Sequence, residues 1–128
     1  MIRRHSEAAQ RFAERRKRED EAPRLKATVP HLESLELEFK ESRAGVQMAD
    51  VTHKRRVVID RAPALFELTC QDSACKDGGH DITHDVLQAL RSGVERFDGE
   101  DVCHGQVGNA ECRRVLSFVG HATYRRPT

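Results

Sequence analysis

The chain has no tryptophan and one tyrosine, and with five phenylalanines its aromatics make up 5% of 128 residues. Most of the phenylalanines fall at core positions, which disfavours a surface that stacks nucleic-acid bases on exposed rings. No run of about 18 apolar residues occurs, so no membrane-spanning helix is expected. The first 25 residues are charged throughout and lack the apolar stretch of a secretory leader. A cytoplasmic setting is therefore expected, with the four cysteines as reduced thiols or metal ligands. Also missing are the GxSxG serine elbow, the GxxxxGKS/T phosphate loop and the GxGxxG dinucleotide turn. What is present suits one small domain. Charged residues reach 34% against 38% hydrophobic, a wetter balance than the roughly 25% charge of ordinary globular chains. The net charge of only +1 argues against a disordered chain.

The near-neutral total conceals a segregation. Residues 1–30 carry nine basic and five acidic side chains, net +4. Residues 31–112 carry nine and sixteen, net −7, and residues 113–128 carry four arginines and no acid, net +4. Basic ends around an acidic body point to arms that reach for a polyanion or an acidic protein surface. A solvated tail that only maintains solubility accounts for the same pattern. The organisation read from this is a charged helix and linker over 1–30, an α+β body over 31–124 and a basic tail over 125–128.

Residues 6–21 are predicted helical, with Ser6 as N-cap and Glu7–Arg11 and Glu14–Arg18 as favourable pairs one turn apart. The apolar stripe is thin (Ala8, Ala9, Phe12, Ala13), so the helix either docks through Phe12 or frays. Pro23 and Pro30 bracket a linker. Leu35, Leu37 and Phe39 alternate with Glu36, Glu38 and Lys40, the pattern of a half-buried strand over 33–41. Residues 55–60 and 64–70 read as second and third strands. Val86, Leu87, Leu90, Val94 and Phe97 share one helical face, with Asp81 or Thr83 as cap and Gly99 rather than Gly93 as the stop. Residues 98–111 read as loop. Residues 112–124 read as the last strand, with Leu116, Phe118, Gly120, Ala122 and Tyr124 on one face. The order α, β, β, β, α, β predicts a two-layer α+β fold. Its parts are a mostly antiparallel four-stranded sheet, one packed amphipathic helix, a zinc-stapled pair of loops and the charged N-terminal helix.

Four residues separate Cys70 from Cys75 at the first glycine-containing loop, and eight separate Cys103 from Cys112 at the second. Structural Zn2+ takes four tetrahedral thiolate or imidazole ligands, commonly as two pairs from two loops. The spacing departs from paired CxxC knuckles and resembles a zinc ribbon only loosely. Two alternatives stand beside an all-cysteine zinc site. In one, His80, His84 or His104 replaces a cysteine; in the other, the thiols are buried or redox groups without metal. A four-thiolate set is closed and structural, since catalytic zinc keeps an open position. Cys70 and Cys112 meet only if the strands carrying them run antiparallel. A helix of about 14 residues carries the chain about 21 Å away, so the second loop is expected to return along it. A parallel crossover would part the two cysteines.

His80 and His84 stand four apart near a helix start, each followed by an aspartate. One reading is a small metal-dependent hydrolase built on this pair. The spacing resembles that of metalloproteases, but Asp81 occupies the position of their catalytic glutamate. The His-Asp doublets also resemble phosphohydrolases of the HD type, an all-helical family that the strands oppose. The plainer reading has Asp81 capping the helix, His80 hydrogen-bonded in the metal loop and His84 exposed.

The candidate partner-binding residues are Arg3, Arg4, Arg11, Phe12, Arg15, Arg16, Lys17 and Arg18 in the N-terminal segment, with Arg125 and Arg126 near the end. Lys54, Arg55, Arg56, Arg113 and Arg114 are further basic positions. Two functions compete. The first is a non-catalytic zinc-binding protein that acts as a protein-interaction adaptor or accessory subunit of a larger assembly. In that case the strand at 33–41 is a candidate sheet edge for a partner strand. The second is RNA or DNA binding through backbone phosphates, steeply salt-dependent. The acidic body favours the first.

Overall fold

The computed structural model describes residues 2–43, 51–70 and 74–126. Helix α1 (Ile2–Glu21) and the single turn α2 (Leu25–Thr28) precede strands β1 (Leu32–Arg43) and β2 (Val51–Val57). Strands β3 (Glu67–Leu68) and β4 (His80–Asp81) follow, then α3 (Thr83–Arg91) and β5 (Arg96–Val102). The short β6 (Gln106–Val107) and β7 (Ala110–Glu111) lead to β8 (Arg114–Tyr124). Four strands form one antiparallel sheet in the order β2-β1-β8-β5. Strands β3 and β4 pair apart from it, as do β6 and β7. The molecule is α+β, as its sequence predicts.

The period of two decides which face is buried. Leu35, Leu37 and Phe39 of β1 and Leu116, Phe118 and Ala122 of β8 all point into the core. Leu25 of α2 and Val86 and Leu90 of α3 close that core from the other side. Glu36, Glu38 and Lys40 face away from it, since successive side chains alternate.

Several expectations are corrected. The strand at 33–41 is not an edge: β1 is central, paired on both sides over Leu35–Glu41, and the edges are β2 and β5. Burying an apolar face along its whole length favours a neighbour on each side. Residues 64–70 do not join the sheet. Only Glu67–Leu68 is strand, paired with His80–Asp81, while Ala64 and Phe66 plug the core. The chain just upstream is already engaged, since Pro63 bridges to Arg24. The backbone there bonds instead to the segment read as a linker, Ala64 N–H to the Pro23 carbonyl at 2.7 Å and Leu25 N–H to the Ala62 carbonyl at 2.9 Å. That segment thus contributes Leu25 and Val29 to the core.

The amphipathic helix is shorter than expected. It ends at Arg91 because Gly93 takes φ +71°, the left-handed stop that glycine allows. Val94 is consequently 38% exposed, and Phe97 sits on a strand. Residues 98–102 are strand, not loop. Gly99 lies mid-strand, opposite Phe118. The return to β8 is therefore made by a paired strand, and the parallel crossover that would have parted Cys70 and Cys112 does not form.

Helix α1 has no buried side chain among those described, and Phe12 is 67% exposed rather than docked. The helix stands across a cleft of about 640 Å³ from the loops around Gly78 and His104. Two arginines tie it down. Arg15 Nη2 donates to the Glu67 carbonyl at 2.7 Å, and Arg18 Nε and Nη2 donate to the Glu67 carboxylate at 3.1 and 2.8 Å. Exposed pairs of this kind are screened by salt.

Strands β5 and β8 are joined by a reciprocal fit. Phe97 pairs with Gly120, and Phe118 with Gly99. A Cβ at Gly99 would lie 2.6 Å from Phe118 Cζ, and one at Gly120 would overlap the Phe97 ring. Each ring occupies the space that its partner's missing side chain leaves. Gly120→Ala is expected to destabilise the fold by about 1–3 kcal/mol through overpacking. Urea unfolding of the metal-loaded chain measures it, and an unchanged midpoint would show that the ring moves freely.

Candidate metal centre

One cysteine pair lies in a loop closed by a small antiparallel ladder, and the other flanks a short hairpin. The β3–β4 ladder pairs Glu67 with Asp81 and Leu68 with His80, enclosing Cys70 and Cys75. Strands β6 and β7 form a hairpin between Cys103 and Cys112. At its tip, Gly108 takes φ +61° at the first turn position, where glycine is preferred. Its base is closed by Cys112 N–H donating to the Gly105 carbonyl at 2.8 Å and Arg113 N–H to the Cys103 carbonyl at 3.1 Å. The eight-residue spacing, unusual as a knuckle, is thus zipped by strand pairing so that its two ends meet. The loops are joined to each other by mutual Lys76–Gln106 backbone bonds of 2.8 and 2.9 Å.

This framework gathers all four sulfurs within 4.8 Å of one another. Cys70 and Cys112 Sγ are 3.7 Å apart, as are Cys75 and Cys103. Four thiolates about 2.3 Å from one tetrahedral ion would stand about 3.8 Å apart. They form the only potential metal-binding group of three or more His, Cys, Asp or Glu among the described residues. The four cysteines are positioned to hold a metal ion, and none of the three histidines considered as replacements joins them.

Glycine makes the packing possible. A Cβ at Gly78 would lie 2.5 Å from Cys103 Sγ and closer still to Cys75 Sγ. A Cβ at Gly105 would lie 2.6 Å from Gly78 Cα and also overlap Cys75 Sγ. After Cys75 the chain turns through Asp77 at φ +57°, and after Cys112 through Arg113 at φ +52°. Arginine rarely takes this conformation; the bonds at the hairpin base hold it there.

The sulfurs differ electrostatically. Burial alone would push the Cys103 thiol up, but N–H groups of Gly105 at 3.5 Å and Gly79 at 3.3 Å donate to it and, with Cys75 and Cys70, leave it lowered. Burial, reinforced by hydrogen bonds with Cys103 and Cys112, pushes Cys75 up to about 11. Metal must therefore displace thiol protons on binding.

Close in sequence to the ligands lies a polar group of which the plainer reading anticipates the hydrogen-bonded His80 but not its partners. His80, only 3% exposed, places Nδ1 2.9 Å from Asp101 Oδ2 and Nε2 3.4 Å from Glu41 Oε1. Arg114 Nε stands 3.3 Å from the same Glu41 oxygen. The period of two does place Glu41 on the apolar face after Leu35, Leu37 and Phe39, a signal that a buried acid needs a partner. His80 belongs to β4 and not to the helix, so it shares no helical face with the exposed His84. Among the described residues, His80 and His84 belong to no common group of potential metal ligands. Asp81 Oδ1 accepts from Thr83 N–H at 3.0 Å at the helix start, as the plainer reading expects.

Of the candidate partner-binding residues, Arg11, Phe12, Arg16, Lys17, Arg125 and Arg126 are exposed. Arg15 and Arg18 are committed to Glu67. The side chains of Arg3 and Arg4 lie outside those described. Lys54, Arg55 and Arg56 are exposed on β2, whereas Arg114 turns inward to Glu41. Among the described residues, no helix is long and apolar enough to cross a membrane.

In comparisons with known proteins, the chain matches no family model, no curated protein and no solved structure.

Cys112→Ser is expected to abolish stoichiometric metal binding, and Gly105→Ala to weaken it by about tenfold to a hundredfold. Competition with a chromophoric chelator reads both. Undiminished affinity in Gly105→Ala would show that the glycine cradle is irrelevant.

Proposed function

We propose that the chain is a non-catalytic zinc protein that serves as an interaction adaptor or accessory subunit of a larger assembly. The observation that carries the reading is the set of four sulfurs within 4.8 Å of one another, with two pairs 3.7 Å apart. Four thiolates leave no coordination position for water or substrate, which is the arrangement of structural rather than catalytic zinc. Zinc joins two loops that have little apolar packing of their own, so its binding energy contributes directly to folding. A reducing compartment, such as the cytoplasm, suits such a site.

The surface for a partner is the free side of α1. Phe12 is an exposed aromatic on a helix tethered to the body, Arg16 lies one turn on from it, and Lys17 is also exposed. Aromatic and arginine side chains are the usual anchors of protein interfaces. The nucleic-acid reading is weakened because two of the four cations at 15–18 are engaged with Glu67.

Two experiments test the reading. Chelation of zinc from the purified chain is expected to collapse near-ultraviolet circular dichroism and amide dispersion of the body. A colourless, zinc-free, fully folded protein, or one holding iron, would overturn the assignment. Phe12→Ser with Arg16→Glu and Lys17→Glu is expected to shift stability by less than about 0.5 kcal/mol and to abolish co-purification of a protein partner. Retention of the partner, or its replacement by salt-labile nucleic acid, would refute the adaptor role.

A further inference from the structure

We infer that the outer edge of β2 is a second, independent binding surface that takes an acidic, extended segment of a partner protein by strand addition. The sheet order leaves β2 paired on one side only. Among the described residues, no backbone group of another segment bonds its free side. An unpaired edge offers a row of N–H and C=O groups, which a peptide backbone can match and a nucleic acid cannot.

The side chains select the partner. His53, Lys54, Arg55 and Arg56 follow one another along the edge, and all are exposed. Their alternation sends Arg55 to the side of Leu37, and Lys54 and Arg56 to the side of Glu38 and Glu36. An added strand therefore meets cations on both faces, whichever parity its own side chains take. Lys54 Nζ is 3.4 Å from Glu38 Oε1 yet remains 65% exposed. Arg55 and Arg56 hold no ion pair among the described residues. Guanidinium forks suit carboxylates geometrically. Val58, 62% exposed just past the strand end, offers an apolar contact. Edge charges also deter pairing with copies of the same strand, so the device is selective: it repels basic strands and admits acidic ones.

This surface is an edge where the sequence suggests none, since the strand expected to be open is buried at the sheet centre. It is distinct from α1, and its test is separable from that of the adaptor reading. The test uses the zinc-loaded full chain and a synthetic peptide of alternating glutamate and valine. Backbone amide shifts from His53 to Val58 are expected to move on titration. Replacing glutamate by lysine in the peptide, N-methylating alternate peptide nitrogens, or introducing Arg55→Glu with Arg56→Glu is each expected to weaken binding by about tenfold or more. The α1 variant with Phe12→Ser is expected to bind the peptide unchanged. Absence of shifts in β2, equal binding of the N-methylated peptide, or stronger binding of a uridine homopolymer at the same amides would overturn the proposal.

Discussion

Four sulfurs can share one ion only if the backbones carrying them converge, and a chain does not converge without somewhere to put its polar groups. Here two-residue ladders and a single reciprocal bridge absorb those groups. The β3–β4 ladder closes one loop, the β6–β7 hairpin shapes the other, and the Lys76–Gln106 bridge links them. None of these ladders is long enough to persist alone. Each depends on the others and on the thiol cluster. The glycines at 78 and 105 reflect the same constraint, because the sulfurs lie where their side chains would be.

The cluster is also coupled to the main sheet. Asp101 precedes Cys103 by two residues, and Arg114 follows Cys112 by two. Both side chains reach the buried His80–Glu41 pair at the end of β1. Isolated buried charges are costly, so the buried Glu41 is met by His80 and Arg114. One group of side chains therefore links β1, β5 and β8 to the start of the ligand loops.

Charge segregation takes on a more specific meaning in three dimensions. The basic N-terminal helix is not a free arm, since Arg18 pairs with the Glu67 carboxylate and Arg15 donates to the Glu67 backbone carbonyl. What remains outward is a narrower surface around Phe12, Arg16 and Lys17. Inside the acidic body, three consecutive exposed cations, Lys54, Arg55 and Arg56, lie together on β2. Exposed cations thus stand both on α1 and on β2.

Periodicity and ligand chemistry were enough to read much of this molecule from its residues. The alternation through Leu35, Leu37 and Phe39 marks β1, the Val86–Leu90 face marks α3, and the four cysteines at loop positions mark the metal centre. These signals are local or chemical, and they survive without knowledge of neighbours. The sequence could not disclose β5, whose inward positions are Phe97, Gly99 and Asp101. Only one of these is conventionally apolar, so the strand exists because β8 pairs with it and the rings of Phe97 and Phe118 fill the glycine gaps. Nor could it reveal which strand would be an edge, since order within a sheet is set by pairing across distant segments rather than by order along the chain. The burial of Glu41 and His80, the tether through Glu67 and the exposure of β2 belong to that same tertiary level, where each side chain's environment is supplied by residues far away in sequence.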